Sequence, residues 1–181
     1  MKEYVDLLDS DGNCIGIIDR KKAHESGAWH KTIHAWVINA KGDVLLAKRS
    51  NRKNFYPSCW DCSFAGHVGI DEGAVDCAIR EAYEEIGVHL FPQDFIHVCT
   101  YKDVLSYGSQ TCNQIAEVYV VEKELNIFSL KLAKGEVDEI KWVPAQTFLK
   151  QILSQKGNYL FHGEKEYKAL KKYVEDRFKI V

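Results

Sequence analysis

Residues 66–88 read GHVGIDEGAVDCAIREAYEEIGV, and this stretch decides how the rest of the chain is interpreted. If it forms a helix, each residue advances by about 100° around the axis, so Glu84 and Glu85 lie on the same narrow face as Glu81. The opposite side would carry an apolar stripe of the kind that packs on a core. That stripe consists of Val75, Ile79, Ala82, Tyr83 and Ile86. The sequence therefore predicts a helix that is anchored on one side and acidic on the other.

The acidic face carries two costs that a surface helix normally avoids. Glu81 and Glu85 are like charges at positions i and i+4, which costs roughly 0.2 to 0.5 kcal/mol. Gly87 is expected to end the helix, which puts Glu84 and Glu85 at the negative end of the helix dipole. Clustered carboxylate oxygens suit Mg²⁺ or Mn²⁺, and such an ion would offset both costs. We therefore predict a metal site on this face, with a solvated charged surface as the alternative.

The same stretch resembles the signature of the Nudix hydrolases, G-x5-E-x7-R-E-U-x-E-E-x-G-U, in which U is a bulky apolar residue. Only Ala82, at a U position, is smaller than the pattern asks. The resemblance implies an α+β fold, the Nudix α/β/α sandwich with a mixed β-sheet, to which this chain adds an N-terminal hairpin and a C-terminal helix. The matching positions are Gly66, Glu72, Arg80, Glu81, Glu84, Glu85, Gly87 and Val88.

The resemblance also implies an activity. A MutT-like Nudix enzyme is a magnesium-dependent pyrophosphohydrolase, which acts on acid anhydrides in phosphorus-containing compounds. The expected reaction is attack of water at phosphorus in a nucleoside diphosphate linked to X, or in a similar organic pyrophosphate. A bound Mg²⁺ or Mn²⁺ would neutralise the phosphates and lower the pKa of a water molecule.

The resemblance assigns roles to the residues that match the signature. Glu81, Glu84 and Glu85 would be the metal ligands, with the Gly66 carbonyl as a further candidate. Glu72 and Arg80 would complete the catalytic set by orienting the carboxylates. The general base stays open among five carboxylates: Glu84, Glu85, Glu117, Glu136 and Glu139. Separately, Arg49, Arg52 and Lys53 lie in a basic loop and are the predicted substrate-binding residues, although a solvated loop explains them as well.

Three fragments between His24 and His67 are similar to the type I isopentenyl-diphosphate isomerases. These fragments are His24 with Trp29-His30, then Arg49-Ser50-x-x-Lys53-x-x-Tyr56-Pro57, then Ser63-Phe64-Ala65-Gly66-His67. In the isomerases, histidines at such positions help to bind metal, a cysteine precedes the Gly-His pair, and two glutamates lie in a later strand. This chain has Ala65 in place of the cysteine, and the nearest alignment puts Cys112 and Gln114 in place of the glutamates.

These differences favour hydrolysis over isomerisation. An isomerase must protonate and deprotonate carbon, and this chain lacks the thiol and the carboxylate that would do so. Isomerisation is kept as an alternative, together with a non-catalytic nucleotide-binding module. His24, His30 and His67 either form a metal or substrate site or are structural, and His34 is interpreted as structural.

Composition bounds the remaining properties. A length of 181 residues predicts one domain over 1–181. The net charge of -2 argues against binding to a nucleic acid polymer or an anionic membrane. The chain has neither an apolar run resembling a secretory signal nor one long enough to span a bilayer, so the expected location is the cytoplasm. The six cysteines are expected to be free thiols, and zinc bound through Cys59 and Cys62 is disfavoured. The expected partner is a small-molecule diphosphate, and a homodimer is left open.

Hydrophobic alternation and turn residues predict the order of the elements. Residues 20–22 are interpreted as a basic connector that leads to His24. Strands are expected over residues 4–8, 14–18, 32–38, 44–48, 95–104, 115–121 and 139–143. After the acidic helix, two more helices are expected over about residues 145–153 and 164–178.

Overall fold

A mixed β-sheet with helices on both faces organises residues 3–179, the part of the chain that this computed structural model describes. The two residues at each end of the predicted domain lie outside the described residues. The strands are β1 (Tyr4–Leu8), β2 (Cys14–Asp19), β3 (Trp29–Ile38), β4 (Asp43–Arg49), β5 (Trp60–Asp61), β6 (Phe64–His67), β7 (Phe95–Tyr107), β8 (Gln110–Glu122) and β9 (Val137–Pro144). The helices are α1 (Arg20–Ser26), α2 (Ala74–Ile86), α3 (Ala145–Leu153) and α4 (Glu164–Phe178), with short 3-10 turns at Pro92–Asp94 and Ile127–Ser129.

Strand β3 lies at the centre of the sheet. It pairs antiparallel with β6, where Ile33 faces Gly66, and parallel with β8, where Ile33 faces Glu117. Strands β7 and β8 form a long antiparallel hairpin, β9 pairs with β4, and β1 joins β2 to the sheet. The sheet is therefore mixed and open, as the α+β prediction required.

The side chains of β3 alternate between the two faces of the sheet and enter two separate cores. On one face, Trp36 packs with Phe148 of α3 and Tyr167 of α4. On the other face, Val37 belongs to the core that contains Ala82 of α2. The sheet is thus covered by α2 on one face and by α3 and α4 on the other, which is the predicted sandwich with its C-terminal helix.

Strands β3, β7 and β8 are each longer than predicted, and the prediction missed one helix and two short strands. The basic connector is helix α1, because Asp19 caps its start by accepting hydrogen bonds from the Lys21 and Lys22 amides, and Gly27 ends it at a φ of 67°. Strands β5 and β6 were absent from the prediction, since runs of two and four residues show too little alternation to detect.

The packing face of α2 also needs a correction. Tyr83 was placed in the apolar stripe, but its ring is 56% exposed. The prediction for Tyr83 was wrong because the buried face of the helix centres on Ala78 and Ala82, and Tyr83 lies about 100° around the axis from Ala82. The buried residues of α2 are Cys77, Ala78, Ala82, Glu85 and Ile86. Among the described residues, no helix combines the length and the apolar character that crossing a bilayer requires.

Candidate active site

Strand β6 and helix α2 meet where Gly66 faces Glu81. A Cβ atom at position 66 would overlap the carboxylate and Cγ of Glu81, so glycine is what allows this approach. The Glu81 side chain is only 12% exposed. Burial raises the pKa of Glu81 to about 7; the Arg80 charge opposes this rise, and the Glu85 and Glu84 charges add to it. The charged form of Glu81 is therefore destabilised at this position, and a bound cation would stabilise it.

Arg80 connects the carboxylates of this region. Its Nε and Nη2 atoms donate to the two oxygens of Glu72 at 2.8 and 3.0 Å. Its Nη1 atom donates to Glu81 at 2.6 Å and to Glu84 at 3.1 Å, and Nη2 also donates to the His67 carbonyl at 3.2 Å. A fork-shaped guanidinium can hold several carboxylates at once and reduce their mutual repulsion. Arg80 therefore fixes the loop that leads into α2 as well as the acidic face of the helix.

Glu85 turns inward toward the sheet. One of its oxygens accepts from the Ala65 amide at 3.3 Å, and the other lies 3.4 Å from Lys53 Nζ. Burial raises the pKa of Glu85, while the nearby Lys53 ammonium opposes that rise. Lys53 also contacts Glu136 at 2.7 Å. A lysine of the basic loop thus lies directly beside the acidic helix.

The three glutamates of the acidic face do not converge on one point in this structure. Among the described residues, three groups of side chains bring their possible ligand atoms within 4.8 Å of one another. None of these groups includes Glu81, Glu84 or Glu85. Arg80 and Lys53 hold their oxygens instead. The donor set itself consists of partly buried carboxylates, and it fits a hard divalent cation such as Mg²⁺. An open groove of about 540 Å³, lined in part by Glu72, Asp76 and Arg80, lies over the same region.

The three predicted phosphate contacts lie in different surroundings. The Arg49 guanidinium donates to the Phe55 carbonyl at 2.9 Å, to the Tyr56 carbonyl at 3.1 Å and to Asp61 at 3.0 Å. Arg49, the last residue of β4, therefore holds the loop that follows this strand. Arg52 is exposed to solvent, and Lys53 is the member of the set that lies beside the carboxylates of α2.

On the other face of the sheet, His24, His30, His67 and Cys112 form a second cluster. Their possible ligand atoms all lie within 4.8 Å of one another. His24 Nε2 is 3.0 Å from His67 Nε2, and Cys112 Sγ is 3.5 Å from His30 Nε2. His30 Nδ1 donates to the Ala28 carbonyl at 2.9 Å, which leaves the Nε2 lone pair of His30 directed into the cluster.

The electrostatics of this histidine cluster favour neutral imidazoles. Burial lowers the pKa of His24 to about 4, and burial also lowers the pKa values of His30 and His67. Neutral imidazole nitrogens together with a cysteine sulfur are typical ligands of Zn²⁺ and similar ions, whereas Mg²⁺ prefers oxygen. The sequence pointed to the three histidines, and the structure brings Cys112 to them.

A buried polar network that the sequence analysis missed lies next to this cluster. His162 Nε2 donates to Asp61 at 2.6 Å, and His34 Nδ1 donates to Glu166 at 2.8 Å. The two imidazole rings are tilted by 41° to one another, with their centroids 4.1 Å apart. One feature of the sequence could have indicated this network. Glu166 lies four residues before Leu170, so a charged side chain falls on the buried side of α4.

Comparisons with known proteins agree with this geometry. Residues 28–162 match the model of the NUDIX domain. An uncharacterized Nudix hydrolase of Clostridium acetobutylicum is 31% identical over 139 residues, which cover 75% of this chain and 67% of the relative. An isopentenyl-diphosphate Delta-isomerase of Escherichia coli is 28% identical over 153 residues, which cover 83% of this chain and 81% of that enzyme.

A solved structure shows the same fold. The crystal structure of a protein from Deinococcus radiodurans superimposes with a TM-score of 0.71 at 18% identity, and the match covers 94% of this chain and 99% of that one. The predicted fold class is confirmed by this likeness and by the match to the domain model.

Proposed function

Since the chain belongs to the Nudix hydrolase family, we propose that it hydrolyses the diphosphate linkage of a nucleoside diphosphate linked to X, or of a similar organic pyrophosphate. Family membership carries the general activity, that of a pyrophosphohydrolase. The observation that supports the site is the contact between Lys53 and Glu85, because it brings a phosphate-binding cation to the edge of the acidic helix. Hydrolysis of a diphosphate needs a cationic side chain that binds the phosphates and a metal-binding surface next to it.

In the proposed mechanism, Glu81, Glu84 and Glu85 hold Mg²⁺ or Mn²⁺, with the Gly66 carbonyl as a further ligand. When bound, the ion neutralises phosphate charge and lowers the pKa of a water molecule. Lys53 binds the substrate phosphates and is released from Glu85 as it does so. Arg52 is exposed in the same loop and adds a second cation.

Arg80 and Glu72 position this machinery. Their two hydrogen bonds hold the guanidinium in a fixed plane, from which Nη1 reaches Glu81 and Glu84. Arg80 keeps the two glutamates oriented before an ion arrives, so less ordering is needed when the ion binds.

The general base is assigned to the glutamates of α2. Glu117 accepts a hydrogen bond from the Tyr119 hydroxyl at 2.7 Å, and Glu136 is held by Lys53. Glu139 is 56% exposed and pairs with Lys48 at 3.6 Å. Glu84 and Glu85 are also ion-paired, with Arg80 and Lys53, but they lie on the helix face that is proposed to hold the metal and its bound water, so they are the bases of the proposed mechanism.

The histidine cluster is assigned a second and softer ion. His24, His30, His67 and Cys112 offer three nitrogens and one sulfur, a set that suits Zn²⁺ better than Mg²⁺. At this place the isomerases use carboxylates, and Gln114 cannot act as one. Hydrolysis is therefore favoured over isomerisation, although an isomerase is among the relatives.

A substrate panel tests the proposed function. The purified chain is mixed with Mg²⁺ and with nucleoside diphosphate derivatives, isopentenyl diphosphate and inorganic pyrophosphate, and the release of monophosphate or phosphate is measured. We expect hydrolysis of at least one organic diphosphate and no dimethylallyl diphosphate. Formation of dimethylallyl diphosphate would instead support isomerisation. Binding without any release would support a non-catalytic module.

A further inference from the structure

The basic loop between β4 and β5, residues 50–59, carries Lys53 and is held by a largely buried arginine. Arg49 precedes the loop and donates from Nη2 to the Phe55 carbonyl at 2.9 Å and from Nε to the Tyr56 carbonyl at 3.1 Å. Both carbonyls follow Lys53 in the chain, so the guanidinium joins the two ends of the segment that contains this lysine. The position of Lys53 therefore depends on the direction of the Arg49 side chain.

Two residues of this loop have a backbone conformation that L-amino acids rarely adopt. Tyr56 has a φ of 47° and Ser58 a φ of 62°, both in the left-handed region. Neither residue is glycine, so this conformation is unfavourable by itself and persists only where the surrounding contacts impose it. Arg49 supplies one such contact at the Tyr56 carbonyl, and Asn158 Nδ2 supplies another by donating to the Ser58 carbonyl at 2.9 Å. We expect the loop to relax when these contacts are lost.

Asp61 on β5 fixes the direction of the Arg49 guanidinium. Arg49 Nη1 donates to Asp61 Oδ2 at 3.0 Å, and the two side chains are only 17% and 5% exposed. Ion pairs removed from water are screened by solvent and salt much less than exposed pairs. The backbone of Asp61 is held in turn, because it pairs with Ala47 of β4. A firm link thus runs from β5 through the guanidinium to the two loop carbonyls.

His162 keeps the Asp61 carboxylate in place. His162 Nε2 donates to Asp61 Oδ1 at 2.6 Å, and the Cys62 amide donates to the same oxygen at 2.7 Å. His162 is itself fixed, because its carbonyl accepts from the Tyr101 hydroxyl at 2.7 Å. Each oxygen of Asp61 therefore has its own partners, Oδ1 at His162 and Oδ2 at Arg49. The carboxylate cannot rotate without losing one of these charge-assisted hydrogen bonds.

The loop connects this buried pair to the proposed reaction site. Lys53 Nζ lies 3.4 Å from Glu85, a carboxylate of the acidic helix α2. Asp61 is buried and points toward Arg49 and His162, so a bound diphosphate would contact Lys53 and not Asp61. Asp61 can therefore affect diphosphate binding by holding the loop.

We propose that Asp61 is a positioning residue of the proposed reaction. Through Arg49 it holds the basic loop in the conformation that places Lys53 for diphosphate binding, and His162 keeps Asp61 in place. This inference rests on the proposed function, since it concerns the binding of the same diphosphate group. A loop that is ordered before binding loses less freedom when the ligand arrives. Loss of the Asp61 charge should therefore weaken diphosphate binding.

The test measures binding without turnover. Isothermal titration calorimetry in Mg²⁺ uses methylenediphosphonate, a diphosphate mimic that water cannot cleave at its P–C–P bridge. We expect Asp61→Asn, which keeps the size of the side chain but removes its charge, to bind this probe about 10-fold more weakly than wild type. Glu122→Gln is the matched control, because it breaks another arginine–carboxylate pair, the 2.6 Å contact with Arg177 between β8 and α4. This control should bind the probe as wild type does.

A double-mutant cycle separates positioning from a general structural role. Lys53→Ala removes the ammonium group that Asp61 is proposed to place, and it should weaken probe binding by about 10-fold or more. In the Lys53→Ala background, Asp61→Asn should weaken binding no further, because its effect passes through Lys53. A further loss of about 10-fold in the double variant would overturn the inference. Unchanged probe binding in Lys53→Ala alone would overturn it as well.

Arg49→Lys repeats the test on the link itself and decides the matter if Asp61→Asn does not fold. Lysine keeps a cation beside Asp61 but lacks the planar fork that reaches both loop carbonyls. The charge of Asp61, which also acts on Glu85, stays in place, so a direct effect of that charge is excluded. We expect the same loss of probe binding, and with a hydrolysed substrate the loss should appear in KM rather than in kcat. Wild-type affinity in Arg49→Lys would contradict the inference.

The failure of this inference is distinguishable from the failure of the proposed function. If the chain hydrolyses a diphosphate while Asp61→Asn and Arg49→Lys bind the probe as wild type does, the positioning role is wrong and the hydrolase stands. If the chain hydrolyses nothing while the double-mutant cycle gives the expected result, the positioning role stands and the hydrolase is wrong.

Discussion

Gly66 shows how one missing side chain shapes the proposed site. Any Cβ atom there would occupy the space of the Glu81 carboxylate, which lies against β6 and is largely buried. The glycine therefore allows the carboxylate to lie against the strand. Burial of this charged carboxylate is costly unless a cation pairs with it. Sequence spacing predicted that both residues matter, and the structure supplies the contact that links them.

The first prediction concerns the variant Gly66→Ala. The new methyl group pushes the flexible end of Glu81 away from β6, so the metal site is distorted while the backbone is spared. We expect the kcat/KM for diphosphate hydrolysis to fall by about 10-fold or more, and the Tm to fall by only about 2–4 °C, as a loss of about 1 kcal/mol would give. Steady-state kinetics and thermal unfolding measure the two quantities.

Gly16→Ala is the matched control for this variant. A Cβ atom at position 16 would meet Leu7 Cδ2 at an ordinary 3.9 Å. Activity should stay at the wild-type level. If Gly66→Ala is also fully active, the close approach of Glu81 to β6 has no role in the reaction.

At the level of elements, the sequence predicted most of the long strands and helices. Strand β1, α3 and α4 have the predicted bounds; β1 is an apolar run that ends at turn residues, and α4 repeats its apolar residues at helical spacing. Helix α1 was missed even though Asp19 and Gly27 are recognisable caps, since its three basic residues suggested a connector.

The sequence predicted the local part of the proposed site and missed the residues that come from distant parts of the chain. The glutamates of α2 lie in one local motif, so spacing alone brought them together. Cys112 and His162 reach their clusters only through the pairing of β3 with β8 and through the turn before α4. Tertiary contacts of this kind leave no local pattern in the sequence.

The second prediction concerns the buried pair of Asp61 and His162. Burial opposes both charges, but their mutual attraction lowers the pKa of Asp61 and raises the pKa of His162. The His162 contribution to stability is complete below its unfolded pKa of about 6.5 and is lost as pH rises through the folded value. The Asp61 contribution is present above its unfolded pKa of about 3.9 and is lost as pH falls through the folded value.

The pair should therefore stabilise the fold most between about pH 4 and 6.5. We expect Asp61→Asn to lower the free energy of unfolding by about 3 kcal/mol at pH 6, because it leaves buried cations without their partner. The difference between wild type and His162→Gln should be larger at pH 6 than at pH 8.5. Urea unfolding at the two pH values measures both effects, and a pH-independent difference would argue against a charged His162.

The third prediction concerns the histidine cluster. Co²⁺ added to metal-free protein should give an absorption band of sulfur-to-metal charge transfer, because Cys112 becomes a thiolate ligand. Cys112→Ser should abolish the band and weaken metal binding by about 10-fold or more. The exposed Cys14 provides the control, and Cys14→Ser should leave the spectrum intact. A band that persists in Cys112→Ser would exclude Cys112 as the ligand.

At the scale of the whole molecule, the two cores share one sheet. Strand β3 sends Trp36 into one core and Val37 into the other, so neither core can lose its packing without affecting the strand between them. A single domain over residues 1–181 stays a prediction, as does the homodimer.

The fourth prediction follows from the shared sheet. Thermal unfolding should show one cooperative transition, with the tryptophan signal and the helical circular dichroism changing together. Size-exclusion chromatography with light scattering reports the oligomeric state in the same sample. Two separate transitions would mean that the halves of the sandwich unfold independently.

We propose above that carboxylates of α2 hold a divalent ion, which makes a diphosphate bond open to attack by water. Its most direct test is the hydrolysis rate of the best substrate of the panel, measured with Mg²⁺, with a chelator, and with Glu85→Gln in Mg²⁺. We predict that hydrolysis requires Mg²⁺, stops in the chelator and falls by at least about 100-fold in Glu85→Gln. Wild-type turnover in the chelator, together with an unimpaired Glu85→Gln variant, would exclude a metal ion held by the α2 carboxylates from the reaction.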